Sequence, residues 1–112
     1  MSDAAPSSLR LDTVTQQDRA IVIVRGDVDS SSAPQLAAVL DGIAEDMRVI
    51  ELDLGELRFL DSTGIGVIAT CLSRLDAIDG RLDLSNVPPS VIRLLRITDL
   101  LRFVQVLSEL DT

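Results

Sequence analysis

The sequence predicts an α/β fold: a mixed, largely parallel sheet of four to five strands with helices packed on it. Apolar runs alternate with amphipathic stretches in the order β-β-α-β-α-β-α-β, and strands joined through helices lie parallel. The 112 residues are 46% apolar, chiefly Leu, Val and Ile, which suffices for one domain with a real core. No repeat, low-complexity linker or break divides the chain beyond residue 8. The expected organisation is a lead-in over residues 1–8 and one domain over 9–112.

Residues 1–8 gather Ser, Ala and Pro around one acid, a composition that predicts disorder and excludes a secretory signal. Leu9-Arg10-Leu11-Asp12-Thr13-Val14 alternates apolar and polar side chains, as a half-buried strand does. Gln16–Arg19 is polar and reads as a hairpin loop. Ala20–Val24 is a continuous apolar run that suits a strand buried on both faces, with Gly26 as its stop. Asp29-Ser30-Ser31-Ser32 supplies several N-cap side chains, and Pro34 fits a first helical turn. Leu36, Val39, Leu40 and Ile43 then recur at helical spacing and predict an amphipathic helix over 33–46.

Val49–Leu54 predicts the next strand, ending near Gly55, followed by a loop through Phe59 and Leu60. A second helix is expected from Asp61-Ser62 to about Asp79, with Gly80 as its C-terminal stop. Arg81–Leu84 is a short strand. Pro88-Pro89-Ser90 opens a third helix over Val91–Ile97, and Phe103–Leu107 is the last strand.

Composition narrows the function. The formal charge is −8, from 18 acidic and 10 basic residues, all of the latter arginine. Such a field repels phosphate backbones and anionic lipid. With two Phe and no Trp or Tyr, the chain lacks aromatic platforms for stacking bases. These features predict no nucleic-acid partner and no membrane partner, and the longest uncharged central segment, Ser62–Ser73, is too short to span a bilayer. The expected location is the cytoplasm. The absence of histidine excludes a Ser-His-Asp triad and a His-ligated metal, and a single cysteine excludes an internal disulfide or a Cys-rich zinc site.

The most informative segment is Asp61-Ser62-Thr63-Gly64-Ile65-Gly66, which follows a strand and opens a helix. Ser62 sits at or beside the N-cap, where backbone N–H groups are unpaired and the helix dipole favours an anion. Capping by Asp61 or Ser62 explains part of the pattern. It does not explain two glycines in the first turns, each of which lowers helix stability by about 1 kcal/mol relative to Ala. A helical projection places Ile68, Cys71, Leu72 and Leu75 toward the sheet and Ser62, Gly66, Thr70 and Ser73 opposite, with Ile65 at the border. The expected surface offers a hydroxyl, bare backbone and one apolar side chain for docking. Cys71, on the core stripe, reads as a buried thiol acting as a small hydrophobe.

Gly26-Asp27-Val28-Asp29 ends a strand and precedes a helix. In a parallel sheet the loops after strand C-termini gather on one edge, so loops 26–32 and 60–66 are expected to be neighbours. Asp27, Asp29 and Asp61 then surround Ser62. Such a cluster suits either a solvated loop of capping aspartates or a Mg²⁺ or carboxylate-pair site, and its spacing requires no metal.

Gly26-Asp27-Val28-Asp29, the strand Val49–Leu54 and Phe59-Leu60-Asp61-Ser62-Thr63-Gly64-Ile65-Gly66-Val67 together resemble the STAS domain of bacterial anti-sigma factor antagonists. The resemblance covers residues 9 to 107 and keeps the element order. It implies that Ser62 is the serine phosphorylated by a partner protein kinase, itself the anti-sigma factor, with Asp29 and Asp61 as the acids beside it. It also implies that the unphosphorylated domain binds that kinase and frees the sigma factor, and that a protein phosphatase acting on phosphorylated Ser62 restores the active form. No cofactor is implied. Family members usually finish with a C-terminal helix, whereas Ser108–Thr112 allows one turn at most.

The leading expectation is therefore a phosphorylation-controlled protein-binding switch, not an enzyme, with Asp27, Asp29, Asp61, Ser62, Thr63, Gly64, Ile65 and Gly66 as its partner-binding residues. The alternative is a STAS subunit of a transport complex or a stress-signalling scaffold without phosphorylation. A third reading, Ser62 as an enzymatic nucleophile, lacks a His or Lys base and the G-x-S-x-G elbow.

Overall fold

The computed structural model describes residues 8–107, so residues 1–7 of the expected lead-in and the short tail 108–112 lie outside the described residues. Along the chain run β1 (Leu9–Gln16), β2 (Arg19–Val28), α1 (Ala33–Ala44), β3 (Val49–Leu60), α2 (Ser62–Asp76), β4 (Arg81–Ser85), α3 (Pro89–Ile97), a 3₁₀ turn (Leu101–Phe103) and β5 (Gln105–Leu107). One sheet holds all the strands in the order β1-β2-β3-β4-β5. β1 pairs antiparallel with β2, and every other pair is parallel. The mixed, largely parallel sheet is the one the sequence predicts.

The core lies on one face of that sheet. Val22 and Val24 from β2, Ile50, Leu52 and Leu54 from β3, and Leu82 and Leu84 from β4 are fully buried. They meet Leu36 and Leu40 of α1, Ile68 and Leu75 of α2, and Val91 and Leu95 of α3 in a single cluster. The expectation that β2 is buried on both faces is corrected here. Ala20, Val22 and Val24 are buried, but Ile21 and Ile23 on the other face are only half-buried, because no helix covers them.

That second face carries charge instead. Arg19 bridges Glu51 and Asp83, at 2.9 Å each, and Arg81 binds Asp83 from its other side at 2.8 Å. Asp83 is fully buried beneath the two guanidinium groups, which supply the pairing a buried carboxylate needs. Further along the face, Arg25 bridges Asp12 and Glu56.

Several boundaries differ from the sequence reading. The hairpin loop is only Gln17-Asp18, with Gln17 at positive φ. Gly26 does not stop β2: at φ +100° it lets the strand continue to Val28 beneath β1. A Cβ at Gly26 would lie 1.8 Å from the Ser8 carbonyl oxygen, and the next N–H, of Asp27, donates to that oxygen at 3.0 Å. α1 ends at Ala44, and β5 begins only at Gln105, after the 3₁₀ turn that takes up Phe103. α2 ends at Asp76, and the left-handed residue of its C-terminal motif is Asp79. The Gly80 N–H returns to Leu75 O at 2.6 Å and the Asp79 N–H to Asp76 O at 3.2 Å. Gly80 is required for space, since its Cβ would lie 2.4 Å from the Arg48 carbonyl oxygen.

The largest correction concerns β3, which passes Gly55 and runs to Leu60. Two irregularities make this possible. Between the pairs Ile23↔Asp53 and Arg25↔Glu56, β3 advances three residues against two in β2; between Gly26↔Leu57 and Asp27↔Phe59 it advances two against one. Each extra residue resets which side chains face inward. Leu54, Leu57 and Leu60 turn to the core at intervals of three, while Glu56, Arg58 and Phe59 stay exposed.

Candidate functional site

The ends of β2 and β3 lie side by side, and each is followed by a helix. At the end of β3 the chain is extended at Asp61 and helical from Ser62 onward. Asp61 is the N-cap: its Oδ1 accepts the N–H of Thr63 at 2.9 Å, that of Gly64 at 3.4 Å, and the Thr63 hydroxyl. The Thr63 hydroxyl and these helix N–H groups hold the Asp61 carboxyl below the ordinary carboxylate range, with desolvation and the nearby Asp29 charge working against them. Ser62 is thereby released from capping. It is exposed, and its hydroxyl has no hydrogen-bond partner among the described residues.

At the end of β2, Asp29 makes the same hydrogen-bond pattern in the turn that precedes α1, whose N-cap is Ser32. Its Oδ1 accepts the N–H groups of Ser31 at 3.0 Å and Ser32 at 3.2 Å, and the Ser31 hydroxyl at 2.7 Å. The Ser31 hydroxyl and N–H are the main causes that lower the Asp29 carboxyl from its ordinary value. Ser32 is buried; its hydroxyl donates to the Asp27 carbonyl at 2.8 Å and accepts the Asp29 N–H at 3.0 Å. Asp27 is half-buried, with Arg58 Nε at 3.4 Å. The Asp61 N–H donates to Val28 O at 3.2 Å, which ties the two junctions together. Asp29 and Asp61 are thus brought near each other at the two junctions, with Ser62 next to Asp61 in the chain, whereas Asp27 lies in register with Phe59 and pairs with Arg58. Among the described residues no group of three or more His, Cys, Asp or Glu is arranged to hold a metal ion.

The expected docking surface needs two corrections. The helical projection puts Ile65 at the border facing solvent, but it is 7% exposed and belongs to the core. Gly64 is also buried; a Cβ there would lie 2.8 Å from Leu60 Cγ and 3.0 Å from Val28 Cγ1, so the fold itself demands glycine. The start of α2 packs closely on Leu60 and Val28, contacts that an isolated helical projection does not show. Thr63 and Gly66 are exposed as expected, and a Cβ on Gly66 would meet nothing within 4 Å. Gly66 lines an open groove of about 390 Å³ between α1 and α2, with Thr63, Ala37 and Thr70 also on its walls.

Cys71 is 3% exposed, and burial pushes its thiol up to about 11. Sequence reasoning missed two site features. The buried Ser32 lies in a run of three serines whose individual burial no local signal distinguishes. The Arg58–Asp27 pair depends on the second strand irregularity.

Residues 10–112 match the family described as STAS domain. The chain belongs to the STAS domain family. This STAS domain is 33% identical over 94 residues to the anti-sigma-B factor antagonist of Staphylococcus aureus (strain NCTC 8325 / PS 47), covering 83% of this chain and 87% of the relative. It is 28% identical over 99 residues to the protein of the same name from Bacillus subtilis (strain 168), covering 88% and 91%. Its backbone is similar to an anti-sigma factor antagonist of Mycobacterium paratuberculosis, with TM-score 0.82 and 24% identity over 96% of this chain and 92% of that one. It is also similar to SpoIIAA solved in its unphosphorylated form, with TM-score 0.75 and 23% identity over 92% and 90%, and in its phosphorylated form, with TM-score 0.72. No helix among the described residues is long and apolar enough to cross a membrane.

Proposed function

We propose that this STAS domain is an anti-sigma factor antagonist that works in the cytoplasm as a phosphorylation-controlled binding switch and not as an enzyme. With Ser62 unmodified it binds an anti-sigma factor protein kinase and frees the sigma factor. Phosphorylation of Ser62 by that kinase ends the binding, and a protein phosphatase restores it. The observation that carries the reading is the state of Ser62: exposed, first in α2, and free of the capping duty that Asp61 performs.

A phosphate there adds about −1.5 to −2 charges and three acceptor oxygens. The N-terminal end of α2 tolerates negative charge, typically by 0.3–1 kcal/mol at an exposed site, so the fold persists. The effect falls on the partner. Asp61 already occupies the Thr63 and Gly64 N–H groups, and Asp29 is close by, so the phosphate stands outward as uncompensated charge. Like-charge and steric opposition of about 3 kcal/mol weakens binding more than a hundredfold.

Gly66 supports the same reading. An alanine there would find open space and would favour the helix by up to about 1 kcal/mol, so the fold does not account for the glycine. Close approach of a partner along the α1–α2 groove does.

The test is titration calorimetry of the unmodified, phosphorylated, Ser62→Ala and Ser62→Asp proteins against each purified anti-sigma factor of the source organism. Ser62→Ala is expected to fold and bind without being phosphorylated. The phosphorylated protein should bind at least a hundredfold more weakly, and Ser62→Asp by a smaller factor because it carries less charge. Equal affinity for the phosphorylated and unmodified forms, both folded, would move the assignment to a scaffold or transport subunit.

A further inference from the structure

We propose that Phe59 is a second anchor for the anti-sigma factor, an aromatic side chain that enters an apolar pocket of the partner while Ser62 is being presented. The inference rests on the function proposed above and adds a face of the molecule to it. Phe59 is one of two phenylalanines in the chain and is 51% exposed at the last turn-out of β3 before Asp61-Ser62. Its neighbour Leu60 is buried, so the two side chains leave the strand on opposite sides. Leu60 supports the α2 start from below, and Phe59 projects on the uncovered side of the sheet.

The surroundings specify the partner's chemistry. Phe59 pairs in register with Asp27, whose charge is met by Arg58, the extra residue of the second β3 irregularity. Asp29 and Asp61, in contrast, have no ion pair among the described residues. An exposed aromatic ring therefore stands two residues before Asp61, at the same end of the sheet as Asp29, and neither of these carboxylates is neutralised by an ion pair among the described residues. This end of the sheet complements an apolar pocket bordered by basic side chains. Aromatic anchors ringed by polar groups carry a disproportionate share of binding energy at protein interfaces. Continuity with Ser62, three residues on, places this anchor and the phosphorylation site under one partner. A partner seated on both would straddle the end of β3.

The experiment measures affinity of Phe59→Ala, Phe59→Tyr and Phe103→Ala for the anti-sigma factor that binds the unmodified chain, alongside Ser62→Asp. Phe103, 57% exposed beside Arg102 in the 3₁₀ turn, is the matched aromatic control. Phe59→Ala is expected to fold with an unchanged melting temperature and to lose at least tenfold in affinity. Phe59→Tyr should retain most of the binding, and Phe103→Ala all of it. Wild-type affinity in Phe59→Ala, with Ser62→Asp impaired, would overturn this anchor and leave the switch standing. Loss of affinity in Phe103→Ala equal to that in Phe59→Ala would also overturn it. Full affinity in the phosphorylated form would instead remove the switch, whatever Phe59 does. Failure of every purified anti-sigma factor of the source organism to bind the unmodified chain would overturn both.

Discussion

The two strand-to-helix junctions at the head of the sheet, Asp29-Ser30-Ser31-Ser32 after β2 and Asp61-Ser62-Thr63-Gly64 after β3, share one local design. In both, an aspartate Oδ1 accepts the N–H groups of the residues two and three positions on, and the hydroxyl of the residue two positions on. Their serines have different fates according to position. Ser32 is buried and hydrogen-bonded to the Asp27 carbonyl, where it holds the loop to the strand it leaves. Ser62 is exposed and unengaged. A serine at such a junction is therefore a rivet three positions after the aspartate, where Gly64 is buried as well, and an accessible group one position after it, where Ser30 is exposed as well. Burial decides between them, because only an accessible hydroxyl can enter a kinase active site.

The largest expected effect comes from placing the same charge at both serines. Ser32→Asp would bury a carboxylate about 3 Å from Asp29 Oδ1 and remove the hydrogen bond to Asp27 O, at a cost on the order of 3 kcal/mol or more. Ser62→Asp should leave the melting temperature nearly unchanged. Denaturant unfolding of the two variants measures the contrast directly, and equal destabilisation would erase it.

The glycines sharpen the comparison at a smaller scale. Gly64→Ala forces a methyl group against Leu60 and Val28, with an expected loss of about 1–3 kcal/mol. Gly66→Ala should raise stability by up to about 1 kcal/mol while weakening binding to the anti-sigma factor. Opposite signs in thermal melts would separate the glycine kept for packing from the one kept for the partner.

The smallest effect is electrostatic. Asp29 and Asp61 both have carboxyl groups lowered from the ordinary value of 3.8 in the folded state. Their contribution to stability is therefore fully present above that value and is lost as pH falls through it toward the lower folded values. Unfolding curves collected from neutral pH downward should show a shallower acid limb for Asp29→Asn with Asp61→Asn than for the parent. An unchanged limb would mean that neither junction depends on the ionised form.

The order of the elements, the parallel connections and the helix start at Asp61 were legible in the sequence. Each depends on residues within about one turn of each other, or on a hydrophobic period that any stretch of chain carries with it. Cys71, Ile68 and Leu75 fell on the buried stripe of α2 for the same reason. Tertiary structure alone decided that β3 continues past Gly55, because its irregularities exist only against the register of β2. It also decided that Ile65 turns inward, and that Ser32 is buried while Ser62 is exposed. Capping chemistry acts over three or four residues and is written locally. Burial is the sum of neighbours that arrive from distant strands, and only the assembled sheet covers the fourth residue of each junction, Ser32 and Gly64, while leaving the second, Ser30 and Ser62, exposed.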